Sequence, residues 1–483
     1  MKKIIDRYKS LPVQVRASFW FLICAFFQKG ISFITTPIFT RLLSTTEYGQ
    51  FNVFQSWLGI LIVIVTLNLY AGVYTSGLVK FEDRRKEYSS ALQGLTLTLV
   101  VAWTVIYILF SNFWNNLFSL TTIQMLLMLS MMWTTVVFSF WSMEQRVDFK
   151  YRKLVAVTIV VSIAKPIVSI ILVLVAEDKV TARIIGMASV ELICYVWFFV
   201  AQLKRGKKFC SKEIWKYALT FNIPLIPHYL STSILNSADR IMIGRMVNDS
   251  AAGIYSLAYS ISMIMTMFNI ALMQTIEPWL YKKIKEKRIE DISKVAYPAF
   301  VIIAIVNILL IALAPEAVTI FAPAEYYEAI YVIPPAAMSV FFMFSYTFFA
   351  VFEFYYNRTK QIAFATTVGA VLNIILNYIF IKIFGYFAAG YTTLACFMIY
   401  ALFHYIFMKK ICKNELDNVQ PYNTRIYLSI ALIFMIIGFV FLFSYKWTIV
   451  RYSLIAVIVI AVIVMRKKLI NVAYGILSLR KKR

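Results

Sequence analysis

Two lysines stand where lysine is expensive. Lys29 and Lys165 lie inside apolar stretches long enough to cross a bilayer, and a charged side chain at the centre of such a stretch costs about 2.5–3.5 kcal/mol on insertion scales. A cation kept there needs an anion, an internal counter-charge or water. Each lysine either pairs internally, for example with Glu191, the acid set most deeply in apolar text, or snorkels to an interface. The other reading has Lys29 and Lys165 hold an anionic cargo, with Glu191 as an ion-coupling or charge-compensating group. Further polar residues recur at helical spacing. Tyr229, Ser233, Asn236, Ser237, Arg240 and Gly244 share one helix face, and so do Lys29, Ser32, Thr36 and Thr40. Neither face suits lipid, and together they are expected to wall a wet cavity. Asn373 and Asn377, one helical turn apart, either bind sugar hydroxyls or join helices as polar glue.

The elements that carry these residues follow from composition. With 61% apolar and 15% charged residues and a mean hydropathy of +0.76, the chain of 483 residues is a polytopic membrane protein rather than a string of soluble domains. The expected fold is all-α, with fourteen transmembrane helices running from a first span at 17–39 to a last at 447–465. Most of the 48 Lys and Arg fall in alternate loops, which places both termini in the cytoplasm. The net charge of +25 is therefore a topology signal, and nucleic acid is not an expected partner. The opening MKKIIDRYKS has the basic flank of a signal peptide, but no small-x-small site follows, so it reads as an uncleaved first span. Five cysteines scattered through spans and loops read as packing residues.

An internal repeat ties the two polar faces together. RMVNDSAAGIYSLAYS from Arg245 lies on RLLSTTEYGQFNVFQS from Arg41, matching Arg41, Gly49 and Ser56 to Arg245, Gly253 and Ser260. The same offset lays Ser162, Lys165 and Ser169 on Thr366, Gly369 and Asn373, and Gly186 on Gly390. An even number of spans in each half predicts two six-helix bundles related as a parallel repeat, plus two extra C-terminal helices. The expected domains are an N-terminal bundle at 1–203, a basic cytoplasmic linker at 204–216, a C-terminal bundle at 217–410, and the extra helices with a basic tail at 411–483. Pro224 and Pro227 are expected to break span seven near its cytoplasmic start. Asp239 and Arg240 are placed near the outer end of that span, largely unburied, as a gate-closing or helix-fixing pair, with Arg41 and Arg245 at the outer joints. There is no catalytic triad, metal-ligand cluster or phosphate-cradling glycine motif, so the chain is not expected to be an enzyme or to carry a cofactor.

The stretch DRIMIGRMVNDSAAGIYSLAYSI resembles the joint between spans seven and eight in polysaccharide exporters of the multidrug/oligosaccharidyl-lipid/polysaccharide (MOP) superfamily, and TRLLSTTEYGQFNVFQS resembles the joint after span one. The resemblance implies a Wzx-type flippase that moves an undecaprenyl-diphosphate-linked oligosaccharide across the bacterial inner membrane by alternating access, for O-antigen, capsule or exopolysaccharide assembly. It implies a cationic cavity in which Lys29, Lys165 and Arg240 suit the diphosphate. Ser32, Thr36, Ser233, Asn236, Asn373 and Asn377 suit the glycan. A polysaccharide polymerase and a chain-length regulator are the implied partners, and a proton or sodium gradient the implied source of energy. A lipid II flippase, a drug/cation antiporter of the same superfamily and a non-transport protein of envelope assembly are the alternatives.

Overall fold

The structure is a computed structural model that describes residues 12–464 and 466; the basic flank at 1–11 and nearly all of the C-terminal basic tail lie outside the described residues. Every element among the described residues is helical. That is the expected outcome for long apolar runs, because hydrocarbon offers backbone N–H and C=O groups no partner outside their own helix.

The first half comprises α1 (Val13–Leu42), α2 (Thr45–Val65), α3 (Val73–Lys80), α4 (Arg85–Leu109), α5 (Ser111–Phe118), α6 (Thr122–Val147), α7 (Tyr151–Val175), α8 (Lys179–Gly206) and α9 (Lys212–Asn222). A 3-10 turn at Ile223–Leu225 leads into α10 (Ile226–Met246). The second half continues with α11 (Asp249–Met263), α12 (Met265–Lys285), α13 (Asp291–Ala312), α14 (Ala314–Phe321), α15 (Ile333–Tyr355), α16 (Thr359–Phe384), α17 (Ala388–Glu415), α18 (Thr424–Ser444) and α19 (Thr448–Val464).

Among the described residues twelve helices are long and apolar enough to cross a membrane, α11 and α12 together counting as one. The two remaining expected spans fall on α10 and α19. α10 is interrupted by polar residues from His228 to Arg245, and α19 has only 17 residues. Hydropathy alone places span two at 52–74, and the structure differs. Its helix starts at Thr45, set by a capping box in which the Ser44 hydroxyl accepts from Glu47 N–H and Glu47 Oε2 accepts from Ser44 N–H at 2.8 Å. It ends in a turn where Leu67, Asn68 and Gly72 take positive φ.

The chain forms two compact units, residues 1–237 and 238–483. The division lies well beyond the basic stretch expected to be a linker, because that stretch is structured. α8 runs through it to Gly206, and α9 packs onto the first unit by burying Ile214 and Ala218. The Trp215 indole N–H donates to Ala91 O at 2.8 Å. Asn222 Nδ2 donates to Leu67 O and Asn68 O at 2.7 and 2.8 Å, so the left-handed turn after α2 gains its hydrogen bonds from the end of α9.

Unit 1 is held by Phe51 and Phe54 of α2, Val100 of α4, Met128 and Met132 of α6, and Ile184 and Ala188 of α8. Gly186 lets α8 approach α7 closely, since a Cβ there would lie 2.6 Å from Ser169 Cα. Unit 2 is centred on α15, whose Phe341, Phe344, Phe348 and Phe349 pack with Phe300 of α13 and Phe434 of α18. Arg451 of α19 forms a two-pronged bond to Glu316 of α14, 2.6 Å on each arm.

Candidate functional site

The polar face of α1 is open only in part, since Thr40 is buried, 1% exposed. Thr36 Oγ1 donates to Ser32 O at 2.8 Å, and Ser32 Oγ donates to Gln28 O at 3.2 Å. Both hydroxyls spend their proton on their own helix, so what they offer a ligand is acceptor lone pairs. Lys29 and Ser32 are exposed within unit 1, and Thr36 is half-buried. Lys29 has no hydrogen-bond or ion-pair partner among the described residues. Only 12% of the apolar window of α1 is buried, so one side of this helix is open over most of its length.

Lys165 is different. Its ammonium donates to Glu191 Oε1, while Thr134 Oγ1 donates to Glu191 Oε2 at 2.7 Å. α7, α8 and α6 supply one residue each, and the carboxylate is deeply buried, its side chain 5% exposed against 25% for Lys165. Of the two readings open for this lysine, the internal pair is the one formed here. Pro166 sits within α7 without ending it.

On α10 the break at the prolines is present, as the 3-10 turn before Ile226. Asn236 is exposed and donates to Thr232 O at 2.8 Å, and Ser233 is half-buried. Arg240 is half-buried, its guanidinium 4.6 Å from the centre of the Tyr259 ring.

Asp239 corrects an expectation. It is buried, 3% exposed, within unit 2. Its Oδ2 accepts from Tyr255 and Thr393 hydroxyls, both at 2.7 Å, and its Oδ1 from Asn377 at 2.5 Å. Successive helical residues point about 100° apart, so when Arg240 lies on one face its neighbour is carried toward the core. Asn377 also donates to Asn373 Oδ1 at 3.3 Å and accepts from Thr392. Both asparagines are fully buried. As placed, they join α16 to α10 and α17 and present no amide to a glycan. Sequence reasoning missed Thr134, Tyr255 and Thr393, since each acquires its role from a partner far away in the chain.

The family-like joints are helix starts. Ser44 caps α2, and at the same repeat offset Asn248 caps α11 by accepting from Ala251 N–H at 2.7 Å. Arg41 Nη1 reaches back to Pro37 O at 2.8 Å, which tightens the end of α1, and Arg245 is exposed. Gly49 and Gly253, inside the capped helices, are both buried. Among the described residues no group of three His, Cys, Asp or Glu is arranged to hold a metal ion.

The family described as polysaccharide biosynthesis protein matches residues 15–283, more than half of the chain and all of the first-half polar groups above. The chain belongs to that family. A second family, MatE, matches residues 224–379. Relatives include the Lsg locus putative protein 1 of Haemophilus influenzae, 26% identical over 211 residues that make up 41% of this chain and 51% of that protein. An uncharacterized membrane protein of the same species is 21% identical over 201 residues, 41% of this chain and 49% of that one. The chain thus spans about half the length of the curated relatives it matches.

The fold is similar to that of an inward-facing multidrug resistance MATE-family transporter of the MOP superfamily, with a TM-score of 0.60 and 13% identity over 80% of this chain and 96% of that one. A MOP-superfamily transporter from Pyrococcus furiosus, described as having a binding pocket of reverse polarity, aligns with a TM-score of 0.56 and 15% identity over 82% and 95%. The family is thus that of the polysaccharide biosynthesis proteins, and the fold is similar to that of these transporters.

Proposed function

We propose that this protein is a flippase that moves an undecaprenyl-diphosphate-linked oligosaccharide repeat unit from the cytoplasmic to the outer leaflet by alternating access, in O-antigen, capsule or exopolysaccharide assembly. The observation that carries the reading is the match to the polysaccharide biosynthesis family on a chain with a transporter fold. Lys29 gives it chemistry. An ammonium left exposed on an apolar helix has to meet water or an anion rather than lipid, and a diphosphate supplies that anion. Ser32, Thr36, Ser233 and Asn236 are the proposed glycan contacts, with Arg240 as a second cation. Lys165 is proposed as an indirect contributor that positions α7 through Glu191. Asn373, Asn377 and Asp239 serve as internal braces, and Arg41 and Arg245 fix the joints.

The proposal includes a bacterial inner-membrane location, fourteen spans in two parallel-repeat bundles with both termini cytoplasmic, an ion gradient as driving force, and operation beside a polymerase and a chain-length regulator. The test is to delete the protein and determine the lipid-linked glycan that accumulates, then to measure translocation of that lipid by purified protein in liposomes. Accumulation of a multi-sugar undecaprenyl diphosphate and its translocation are expected. Accumulation of a peptidoglycan precursor would make the protein a lipid II flippase instead, and no translocation beside a working control would refute transport of this cargo.

A further inference from the structure

Unit 2 holds a second buried ionisable pair, which the proposed cargo contacts do not use. Glu353 of α15 and His404 of α17 are both fully buried, and His404 Nδ1 lies 2.6 Å from Glu353 Oε1. The rings of Tyr346 and Tyr400 cover the imidazole, with centroids 5.4 and 4.5 Å away. The outer atoms of the pair, Glu353 Oε2 and His404 Nε2, are buried and have no hydrogen-bond partner among the described residues. A bridge serving only to join two helices would be expected to satisfy them, since a buried polar atom left unpaired costs about 1–3 kcal/mol. Two orphaned atoms on one ionisable pair point to a ligand that comes and goes.

The surroundings limit what that ligand is. On the other elements packed against α15, α12 brings Glu277 and also Tyr281, whose ring lies 6.1 Å from that of Tyr355. α18 brings Tyr427 to Phe349, one turn before Glu353. α13 carries Tyr297, α16 the Thr366 hydroxyl, and α11 Tyr255, which is bound to Asp239. Arg358, just past α15, is ion-paired with Glu415 at 2.6 Å. Among the described residues only His404 pairs with Glu353. A metal cation would meet one carboxylate, one imidazole and aromatic faces, too few donors to replace its water. A proton needs one lone pair.

We propose that Glu353 and His404 form a proton-binding site, occupied when α15 and α17 close over it and emptied when water reaches it, through which a proton gradient drives the transport cycle. The coupling part rests on the transporter reading; the proton site does not. In the empty state Glu353 is a carboxylate, His404 is neutral, and its Nδ1–H donates to Oε1. The buried pair then carries one net negative charge, which burial disfavours. One proton enters at the Nε2 lone pair, giving imidazolium beside carboxylate and no net charge. The same proton leaves Nε2 to water when the helices part.

The experiment uses the full chain in lipid nanodiscs, labelled with 15N-histidine, where the two histidines of the sequence give two sets of ring signals and a His228→Asn variant assigns them. As the medium is taken from about pH 8 to 5, the His404 ring signals are expected to pass from the neutral to the protonated form, and Glu353→Gln is expected to alter that conversion. A His404 ring that keeps one form across that range in both proteins overturns the site. The double variant Glu353→Gln with His404→Asn removes both charges together and guards against misfolding of the single variants. The coupling arm measures translocation of the accumulated lipid-linked glycan in liposomes with and without an imposed pH gradient. Gradient stimulation is expected to vanish in Glu353→Gln and in the double variant while translocation without a gradient persists. Stimulation retained in both would overturn the coupling. Absence of translocation in the unaltered protein would count against the flippase reading alone, since the ring signals still decide the proton site.

Discussion

Lys165→Ala separates two roles that look alike in a simple loss-of-function screen. The substitution leaves the Glu191 carboxylate buried with only the Thr134 hydroxyl donating to it. Breaking a buried ion pair by removing one partner costs about 3–5 kcal/mol. Because Lys165 is a quarter exposed, water recovers part of this, and the lower end, about 3 kcal/mol, is the expected loss. Unit 1 has 237 residues, a size at which 1 kcal/mol moves the midpoint by about 2–4 °C, so unfolding of the detergent-solubilised protein should fall by about 6–12 °C. Glu191→Gln alone should also destabilise. The combination Lys165→Met with Glu191→Gln removes both charges, keeps the volume, and should return most of the loss, with a coupling energy of about 1–3 kcal/mol in the double-mutant cycle. The assay is thermal unfolding of the four proteins, run beside polymer production in a flippase-deletion strain. If Lys165 acts through Glu191, the combined variant regains both stability and polymer production. Additive losses of stability, or a stable combined variant that exports nothing, would refute the positioning role and return Lys165 to the cargo.

Lys29→Ala should behave in the opposite way: its midpoint stays unchanged, because no contact is lost, while polymer production falls by about 10–100-fold, the worth of one charge-assisted hydrogen bond to phosphate. Normal export in that variant would remove Lys29 from the site. Asp239→Ala strands the Tyr255, Thr393 and Asn377 donors and should cost about 3 kcal/mol or more, read as lower protein abundance and an earlier unfolding transition; an unchanged transition would show the cluster to be dispensable. Gly186→Ala drives a Cβ to 2.6 Å from the Ser169 backbone and should destabilise by about 1–3 kcal/mol, whereas Gly390→Ala comes no closer than 3.0 Å to the Pro335 ring and 3.5 Å to Val332 and should cost less; the reverse order in thermal unfolding would contradict the close α7–α8 contact. Burial alone would raise the Glu316 carboxyl, but hydrogen bonds from Arg451 and Tyr452 outweigh it and hold the group below its usual 4.5. The tie from α14 to α19 is therefore complete above that value and lost as pH falls through the lower folded one. Between neutral pH and about pH 4, thermal stability of the unaltered protein should fall more steeply than that of Glu316→Gln, and equal slopes would show that the tie contributes nothing.

Much of the scaffold was readable because it depends on local chemistry. Hydropathy places helices to within a few residues where apolar runs are long, as on α4, α6, α7 and α8. It misplaces the start of α2, where a cap overrides hydropathy: Ser44 and Glu47 begin the helix in polar text. The caps at the two joints are equally local, since Ser44 and Asn248 act on N–H groups only three residues away. Helix faces were readable too, so the open stripe of Lys29, Ser32 and Thr36 follows from spacing.

What each polar residue touches was decided by tertiary structure. Glu191 could have neutralised either lysine or bound an ion, and only the packing of α7 on α8 makes Lys165 its partner while Lys29 stays open. Asp239 and Arg240 read as one charged pair in sequence, yet the helix turns one into the unit 2 core and leaves the other beside Tyr259. The end of the first unit moved past the basic stretch because α9 buries Ile214 and supplies hydrogen bonds to a turn far upstream. By itself the sequence determined an all-helical membrane protein and the spacing of its polar residues, since hydropathy and periodicity act within a few residues. The pairing of buried charges depends on which helices lie side by side, and that is set by packing over the whole unit.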